Sequence, residues 1–174
     1  METLVVYESK FGNTRKIAEM IAEAIKPFSG VQLYGLDTLV PDKLGAVDLL
    51  ILGGPTQAHG ISARMRQFTD GLEIASGVGM LAATFDTRLR MPVAISGSAA
   101  KTIAKRLKRA GVHQCAPPQS FFVARGGTPE LEAGEADRAA AWATTLVTHW
   151  ATPQWCAAGQ GRGSGKCMPL DARS

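Results

Sequence analysis

Apolar residues follow two spacings along this chain, and the two spacings alternate. Short continuous apolar runs, such as Leu4–Tyr7 and Val47–Leu52, predict strands that are buried on both faces. Elsewhere apolar residues recur at helical spacing, as at Ile17, Ile21 and Ile25, which predicts amphipathic helices. The predicted strands are Thr3–Tyr7, Val31–Tyr34, Val47–Leu52, Met80–Phe85 and Ser120–Val123, with a further short strand at Pro92–Ile95. The predicted helices are Asn13–Lys26, Ala63–Ile74, Ala99–Ala110 and Gly134–Trp150.

This alternation predicts the fold class. Apolar strands separated by amphipathic helices are typical of a parallel sheet that helices cover on both faces. We therefore expect an α/β protein with a doubly wound, five-stranded parallel sheet in a three-layer sandwich. Ligands of such sheets bind beyond the carboxyl ends of the strands. Three polar or glycine-bearing loops leave those ends here, at Ser9–Thr14, Gly54–Ser62 and Asp86–Met91.

The first of these loops has the composition of an anion site. It lies between a strand and a helix start, where unpaired backbone N–H groups and the helix dipole favour negative charge. Ser9 and Thr14 offer hydroxyl groups, and Gly12 allows tight backbone geometry. Lys10 adds a positive charge, and Asn13 can bond locally to the backbone. The alternative is an ordinary turn, since turns require Ser, Gly and Asn for purely structural reasons.

Composition places the chain among ordinary globular proteins. Its 174 residues are 45% hydrophobic and 20% charged, enough for one domain with a core. We expect one domain over residues 1–150 and a flexible, glycine-rich tail over 151–174. The sequence predicts neither a membrane span nor a signal peptide. Its three cysteines form no CxxC pair, which favours a reducing cytoplasm over a disulfide framework or a zinc site.

A run of basic residues is one signal of a nucleic-acid-binding protein. Lys101, Lys105, Arg106, Lys108 and Arg109 contribute much of the net charge of +4. Most of them fall late in a predicted helix, where cations complement the dipole. A buried stripe of neighbouring apolar residues makes these charges a solvated face, and few aromatic residues are interleaved for base stacking. We therefore expect no nucleic-acid partner.

With its loops placed, the chain resembles the flavodoxin family over about residues 2–150. Ser9, Gly12, Asn13 and Thr14 match that family's phosphate loop, in which Phe11 replaces the usual threonine. The resemblance implies that FMN is the cofactor and that the first loop holds its phosphate. It also implies that the second and third loops flank the flavin ring. The cofactor residues implied are Ser9, Lys10, Phe11, Gly12, Asn13, Thr14, Pro55, Thr56, Gln57, Ala58, His59, Gly60, Phe85, Asp86, Thr87 and Arg88.

The second and third loops depart from the family's usual aromatic residues. His59 is the nearest candidate for a ring contact in the second loop, and a surface histidine is the alternative. Phe85 is either a ring contact or the last core residue of its strand. Arg88 would lie near the flavin edge, where a cation stabilises the anionic reduced form, unless it points to solvent.

The charge of the chain bears on its partners. Electron-carrier flavodoxins are usually acidic, whereas the pI of this chain is about 9.1. The resemblance therefore implies an FMN-binding electron-transfer protein or small reductase that serves a redox partner protein or a small electron acceptor. The alternative is a flavodoxin-like domain that has lost its flavin and acts as an interaction module. The pattern assigns no catalytic residue, no metal site and no oligomeric state.

Overall fold

A computed structural model of the protein describes residues 1–39, 47–57, 60–75, 80–126 and 128–150. Most of the predicted connection Leu39–Ala46 and the whole predicted tail lie outside these ranges. The strands are β1 (Glu2–Tyr7), β2 (Gly30–Gly35), β3 (Leu49–Pro55), β4 (Leu81–Leu89), β5 (His113–Gln114) and β6 (Gln119–Val123). The helices are α1 (Asn13–Ile25), α2 (Ala63–Ala75), α3 (Val93–Ser96), α4 (Ala99–Arg109) and α5 (Glu135–Trp150).

The strands form one parallel sheet in the order β2-β1-β3-β4, and both β5 and β6 pair with the outer side of β4. The predicted doubly wound α/β fold is therefore confirmed. The fifth strand position is divided, because β5 pairs with the start of β4 and β6 with its end. Pro117 and Pro118 lie in the interruption, where their missing N–H groups cannot continue a hydrogen-bond ladder.

Helices cover both faces of the sheet, as the apolar strands require. Helices α1 and α5 pack on one face, where Val5, Ile51 and Phe85 belong to the same buried cluster as Ile17 and Ala143. Helices α2 and α4 pack on the other, where Leu50 and Leu52 join a second cluster. Successive strand residues enter opposite clusters, so the central strands β1, β3 and β4 are buried on both sides.

One predicted strand and the predicted ends of two others were wrong. Pro92–Ile95 is not a strand, since Ser96 and Gly97 donate backbone hydrogen bonds to the carbonyls of Pro92 and Val93 and form the short helix α3. Strand β3 continues through the glycines to Pro55, because its residues still pair with β4. Strand β4 continues to Leu89, so residues 86–88 belong to the sheet rather than to a loop.

Helix α4 has the start and the faces that its sequence predicts. Ser98 is its N-cap, and the Ser98 hydroxyl accepts a hydrogen bond from the backbone N–H of Lys101 at 3.2 Å. Ile103 and Leu107 are fully buried, while Lys105 and Lys108 are exposed. The basic run therefore forms the solvent face of an amphipathic helix.

The single cysteine within the described ranges, Cys115, lies in the interruption between β5 and β6, and we expect it to react slowly. Burial raises the pKa of its thiol to about 11. At about pH 8 only about one thiol in a thousand would be ionised, and the thiolate is the reactive form. Alkylation of the folded protein should therefore be far slower at Cys115 than alkylation in urea, and it should accelerate about tenfold per pH unit. Peptide mass spectrometry measures this site alone, and equal rates with and without urea would contradict the expectation.

Candidate functional site

A cleft of about 670 Å³ opens at the carboxyl edge of the sheet, beyond β1, β3, β4 and β6. This volume lies within the usual range for small-molecule sites, and the place is the one expected for a doubly wound sheet. The described residues that line it are Lys10, Phe11, Asn13, Thr14, Pro55, Thr56, Gln57, Thr87, Arg88, Leu89, Val123, Ala124, Arg125, Gly126 and Pro129.

Lys10, Phe11, Asn13 and Thr14 of the first loop form one wall of the cleft and lead into α1. Ser9 and Gly12 instead line a separate pocket of about 380 Å³, together with Glu8 and Asp37. Gly12 takes a positive φ of 85°, a conformation that costs glycine little, and its N–H donates to the Ser9 hydroxyl at 3.1 Å. Gly12 offers no side chain to cap the helix, and the first turn of α1 contains no acidic residue. The positive end of the helix dipole is therefore neither capped nor neutralised by its own helix, which favours an anion.

Two hydrogen bonds tie the start of α1 to other parts of the cleft. The hydroxyls of Thr14 and Thr87 lie 2.7 Å apart in a buried contact that joins the helix to β4. The Asn13 amide donates to the carbonyl oxygen of Pro129 at 2.7 Å, which joins the helix to the loop after β6. The start of α1 is therefore held in place by one strand of the sheet, β4, and by the loop after β6.

Two of the predicted cofactor residues, Phe85 and Asp86, lie away from the cleft, and Phe85 takes the alternative position of a core residue of its strand. Phe85 is fully buried and packs edge-to-face against Phe121 and Trp142, with ring centroids 6.1 and 6.3 Å away. Asp86 is also fully buried, and its carboxylate points toward α4, where Ser98 and Ala100 donate to it at 2.6 and 3.0 Å. Neither side chain lines the cleft. The alternation of β4 explains this, because its neighbouring residues enter the two cores on either side of the sheet.

Arg88 lines the cleft, but its guanidinium group is already engaged by the protein. It donates to the Ser120 hydroxyl at 3.0 Å, to the Met91 carbonyl at 2.6 Å and to the Ser96 hydroxyl at 3.1 Å. Its side chain is only 9% exposed and also stacks over the Phe122 ring. These contacts hold α3 and β6 against the end of β4. Arg88 therefore does not point to solvent, and its guanidinium group links these elements while it lines the cleft.

The second loop contributes its first residues to the cleft. Pro55, Thr56 and Gln57 line it, and Gln57 and Gly60 exchange two backbone hydrogen bonds that close the loop at its base. Gly60 itself is not among the lining residues. The predicted contacts at Ala58 and His59 lie outside the described residues.

The loop after β6 was missed by the sequence reasoning. It brings Arg125, Gly126 and Pro129 into the cleft, beside the end of β6 at Val123. The sequence does contain one signal for this loop, which is its position. Residues 124–130 follow a predicted strand and therefore leave the same edge of the sheet as the other three loops.

The described lining of the cleft carries positive charge and no negative charge. Lys10, Arg88 and Arg125 contribute cations, and none of the described lining residues is Asp or Glu. Elsewhere within the described ranges, no group of His, Cys, Asp and Glu side chains could hold a metal ion. The cleft is therefore suited to an anionic organic ligand.

Comparison with known proteins agrees with this fold. The family model for a flavodoxin domain matches residues 4–73 of the chain. The flavodoxin of Aquifex aeolicus is 34% identical over 71 residues, which cover 40% of this chain and 38% of that protein. An NAD(P)H dehydrogenase (quinone) of Chromohalobacter salexigens is 27% identical over 92 residues, which cover 40% of this chain and 46% of that protein. The matches thus span less than half the length of these curated relatives.

Solved structures extend the similarity to most of the fold. A flavodoxin from the domain Archaea superimposes with a TM-score of 0.71 at 20% identity, over 86% of this chain and 98% of the other. The protein is thus a flavodoxin-like α/β protein with a cleft at the carboxyl edge of its sheet. The resemblance to the flavodoxin family that the first loop predicts is confirmed. No helix within the described residues is both long and apolar enough to cross a membrane.

Proposed function

We propose that this protein binds FMN noncovalently in the cleft and acts as a flavodoxin-like redox protein. The observation that carries the proposal is the start of α1, where Asn13 and Thr14, at an uncapped helix end, line a cleft that also contains the cations Lys10, Arg88 and Arg125. A phosphate group is a fitting ligand for such an arrangement. FMN, when bound, supplies the transfer of one or two electrons.

The residues in the cleft and beside it divide into two groups toward such a ligand. Ser9, Gly12 and the first turn of α1 would hold the phosphate through N–H and hydroxyl groups. Pro55, Gln57 and Leu89 form the apolar and amide surface at the other end of the same cleft and would flank the ring. The bonds of Thr14 and Asn13 to neighbouring elements would keep these two groups at a constant separation.

The redox partner is proposed from the same arrangement. An electropositive cleft mouth would attract an acidic partner protein or an anionic small acceptor rather than the basic partners of acidic flavodoxins. The similarity to an NAD(P)H dehydrogenase (quinone) supports a small reductase as one form of this function. A cytoplasmic location remains a prediction from the sequence.

The absorbance spectrum of the purified protein tests the proposal directly. We expect a flavin band near about 450 nm, which belongs to the cofactor rather than to the chain. If the protein is isolated without colour, added FMN should bind and its fluorescence should change on titration. A colourless protein that also fails to bind added FMN would contradict the proposal and favour a flavin-free interaction module.

Replacement of Thr14 by valine should weaken FMN binding by about 1–3 kcal/mol, the scale of one hydrogen bond to a charged group. The matched control is Thr87→Val, because it removes the other partner of the same 2.7 Å contact. If the Thr14 hydroxyl serves the phosphate, Thr14→Val should weaken binding more than Thr87→Val does. Fluorescence titration measures both, and equal affinity in wild type and Thr14→Val would contradict the assignment.

A further inference from the structure

We propose that Arg125, on the loop after β6, supplies the positive charge by which the cleft selects a phosphorylated flavin over an unphosphorylated one. The inference rests on the proposed function, since it assigns a residue to the phosphate of the ligand. It concerns a loop outside the three that the sequence analysis considered.

Arg125 differs from Arg90 and Arg138, two other arginines near this edge of the sheet, in having no acidic partner among the residues that the structure describes. Arg90 bonds to Glu132 at 2.6 Å, and Arg138 bonds to Glu135. The Arg125 side chain is exposed and contacts the sulfur of Met91 at 3.2 Å, and it forms no ion pair with any residue that the structure describes. Its charge is therefore available to a ligand.

The position of Arg125 is set by the fold. Its loop is closed at the base, because the N–H of Ala124 donates to the carbonyl of Glu130 at 2.8 Å and Val123 bridges to Leu131. The same loop is joined to the first turn of α1 by the 2.7 Å bond between Asn13 and Pro129. The loop that bears Arg125 and the loop that would hold the phosphate thus form one connected wall.

The first loop by itself supplies limited charge to a phosphate. Position 11 bears a phenylalanine that is 57% exposed, so it provides no hydroxyl group. The helix dipole is equivalent to about half a positive charge, whereas a phosphate monoester carries nearly two negative charges near neutral pH. The Nζ atom of Lys10 lies 5.3 Å from the centroid of the Phe11 ring. Arg125, from the adjoining loop after β6, would add a planar, bidentate donor that suits phosphate geometry.

The test compares two ligands that differ only in the phosphate. Dissociation constants for FMN and for riboflavin are measured by fluorescence titration on wild type, Arg125→Gln, Arg125→Lys and the matched control Arg90→Gln. Arg90 is also an exposed arginine of this edge, but Glu132 holds it and it does not line the cleft. Arg125→Gln should weaken FMN binding about tenfold, the lower end for a charge-assisted bond because the site is open to solvent. Riboflavin binding should stay within about twofold, since riboflavin has no phosphate for the charge to contact.

The controls separate charge from structure. Arg125→Lys should retain part of the FMN preference, and Arg90→Gln should leave both affinities near those of wild type. The FMN preference of wild type should fall with added salt more steeply than that of Arg125→Gln. Unchanged FMN binding in Arg125→Gln, or an equal loss for both flavins, would overturn the role of Arg125 while leaving flavin binding in place. Failure of wild type to bind either flavin would instead overturn the proposed function, and the role of Arg125 with it.

Discussion

Replacement of Gly53 by alanine should lower the free energy of unfolding by about 3 kcal/mol, at the upper end of the usual cost of overpacking a core. Gly53 pairs with Phe85 across β3 and β4, and a Cβ atom at Gly53 would lie 2.1 Å from the Cζ atom of Phe85. The ring has little freedom to move, because Phe121 and Trp142 pack against its other sides. The added methyl group therefore has to displace either the aromatic cluster or the strand.

The neighbouring glycine provides a matched control for this prediction. A Cβ atom at Gly54 would meet the Cε atom of Met65 at 3.5 Å, which is ordinary van der Waals contact. Gly54→Ala has the same chemistry in the same strand, and we expect it to change stability by less than about 1 kcal/mol. Urea unfolding followed by circular dichroism measures both variants. Equal stabilities for the two would show that the contact with Phe85 does not require a glycine.

Replacement of Asp86 by alanine should cost about 3–5 kcal/mol of stability, as expected when a buried charged acceptor is removed from its donors. One carboxylate oxygen of Asp86 accepts hydrogen bonds from the Thr56 hydroxyl at 3.1 Å, the Ser98 hydroxyl at 2.6 Å and the Ala100 N–H at 3.0 Å. These donors belong to the end of β3 and to the start of α4. The substitution would leave them without their acceptor and weaken the junction behind the cleft.

Thr84 offers the control for Asp86, since it lies two residues earlier in β4 and is also fully buried. Its hydroxyl makes no hydrogen bond to any part of the chain that the structure describes. Thr84→Val keeps the shape of the side chain and should be neutral or slightly stabilising. Urea unfolding should therefore show a large loss of unfolding free energy for Asp86→Ala and no loss for Thr84→Val. If Asp86→Ala lowers the free energy of unfolding by less than about 1 kcal/mol, its carboxylate does not hold the end of β3 and the start of α4 together.

These two substitutions affect residues that support the cleft without lining it. Gly53 and Asp86 lie behind the wall formed by Thr56 and Thr87, and neither lines the cleft. Variants that still fold at low temperature should retain the flavin affinity of wild type, because the contacts of the first loop remain unchanged. Loss of stability and loss of binding are thus expected from different residues.

The amino-acid sequence determined the elements that rest on local or periodic signals. The apolar runs predicted the main strands, and the helical spacing predicted α1, α2, α4 and α5, because each element must bury its own apolar residues. Ser98 as the N-cap of α4 also follows from local chemistry, since its hydroxyl serves an N–H three residues away. The first loop was recognisable because the residues that form it are consecutive.

Only the tertiary structure decided which side chains reach the cleft. Phe85 and Asp86 are adjacent to cleft residues in the sequence, yet the continuation of β4 to Leu89 directs them into the two cores. That continuation depends on pairing with β6, more than 30 residues later, which no local pattern contains. Arg125 lines the same cleft as the first loop for the same reason, because parallel strands bring loops that are distant in sequence to one edge of the sheet.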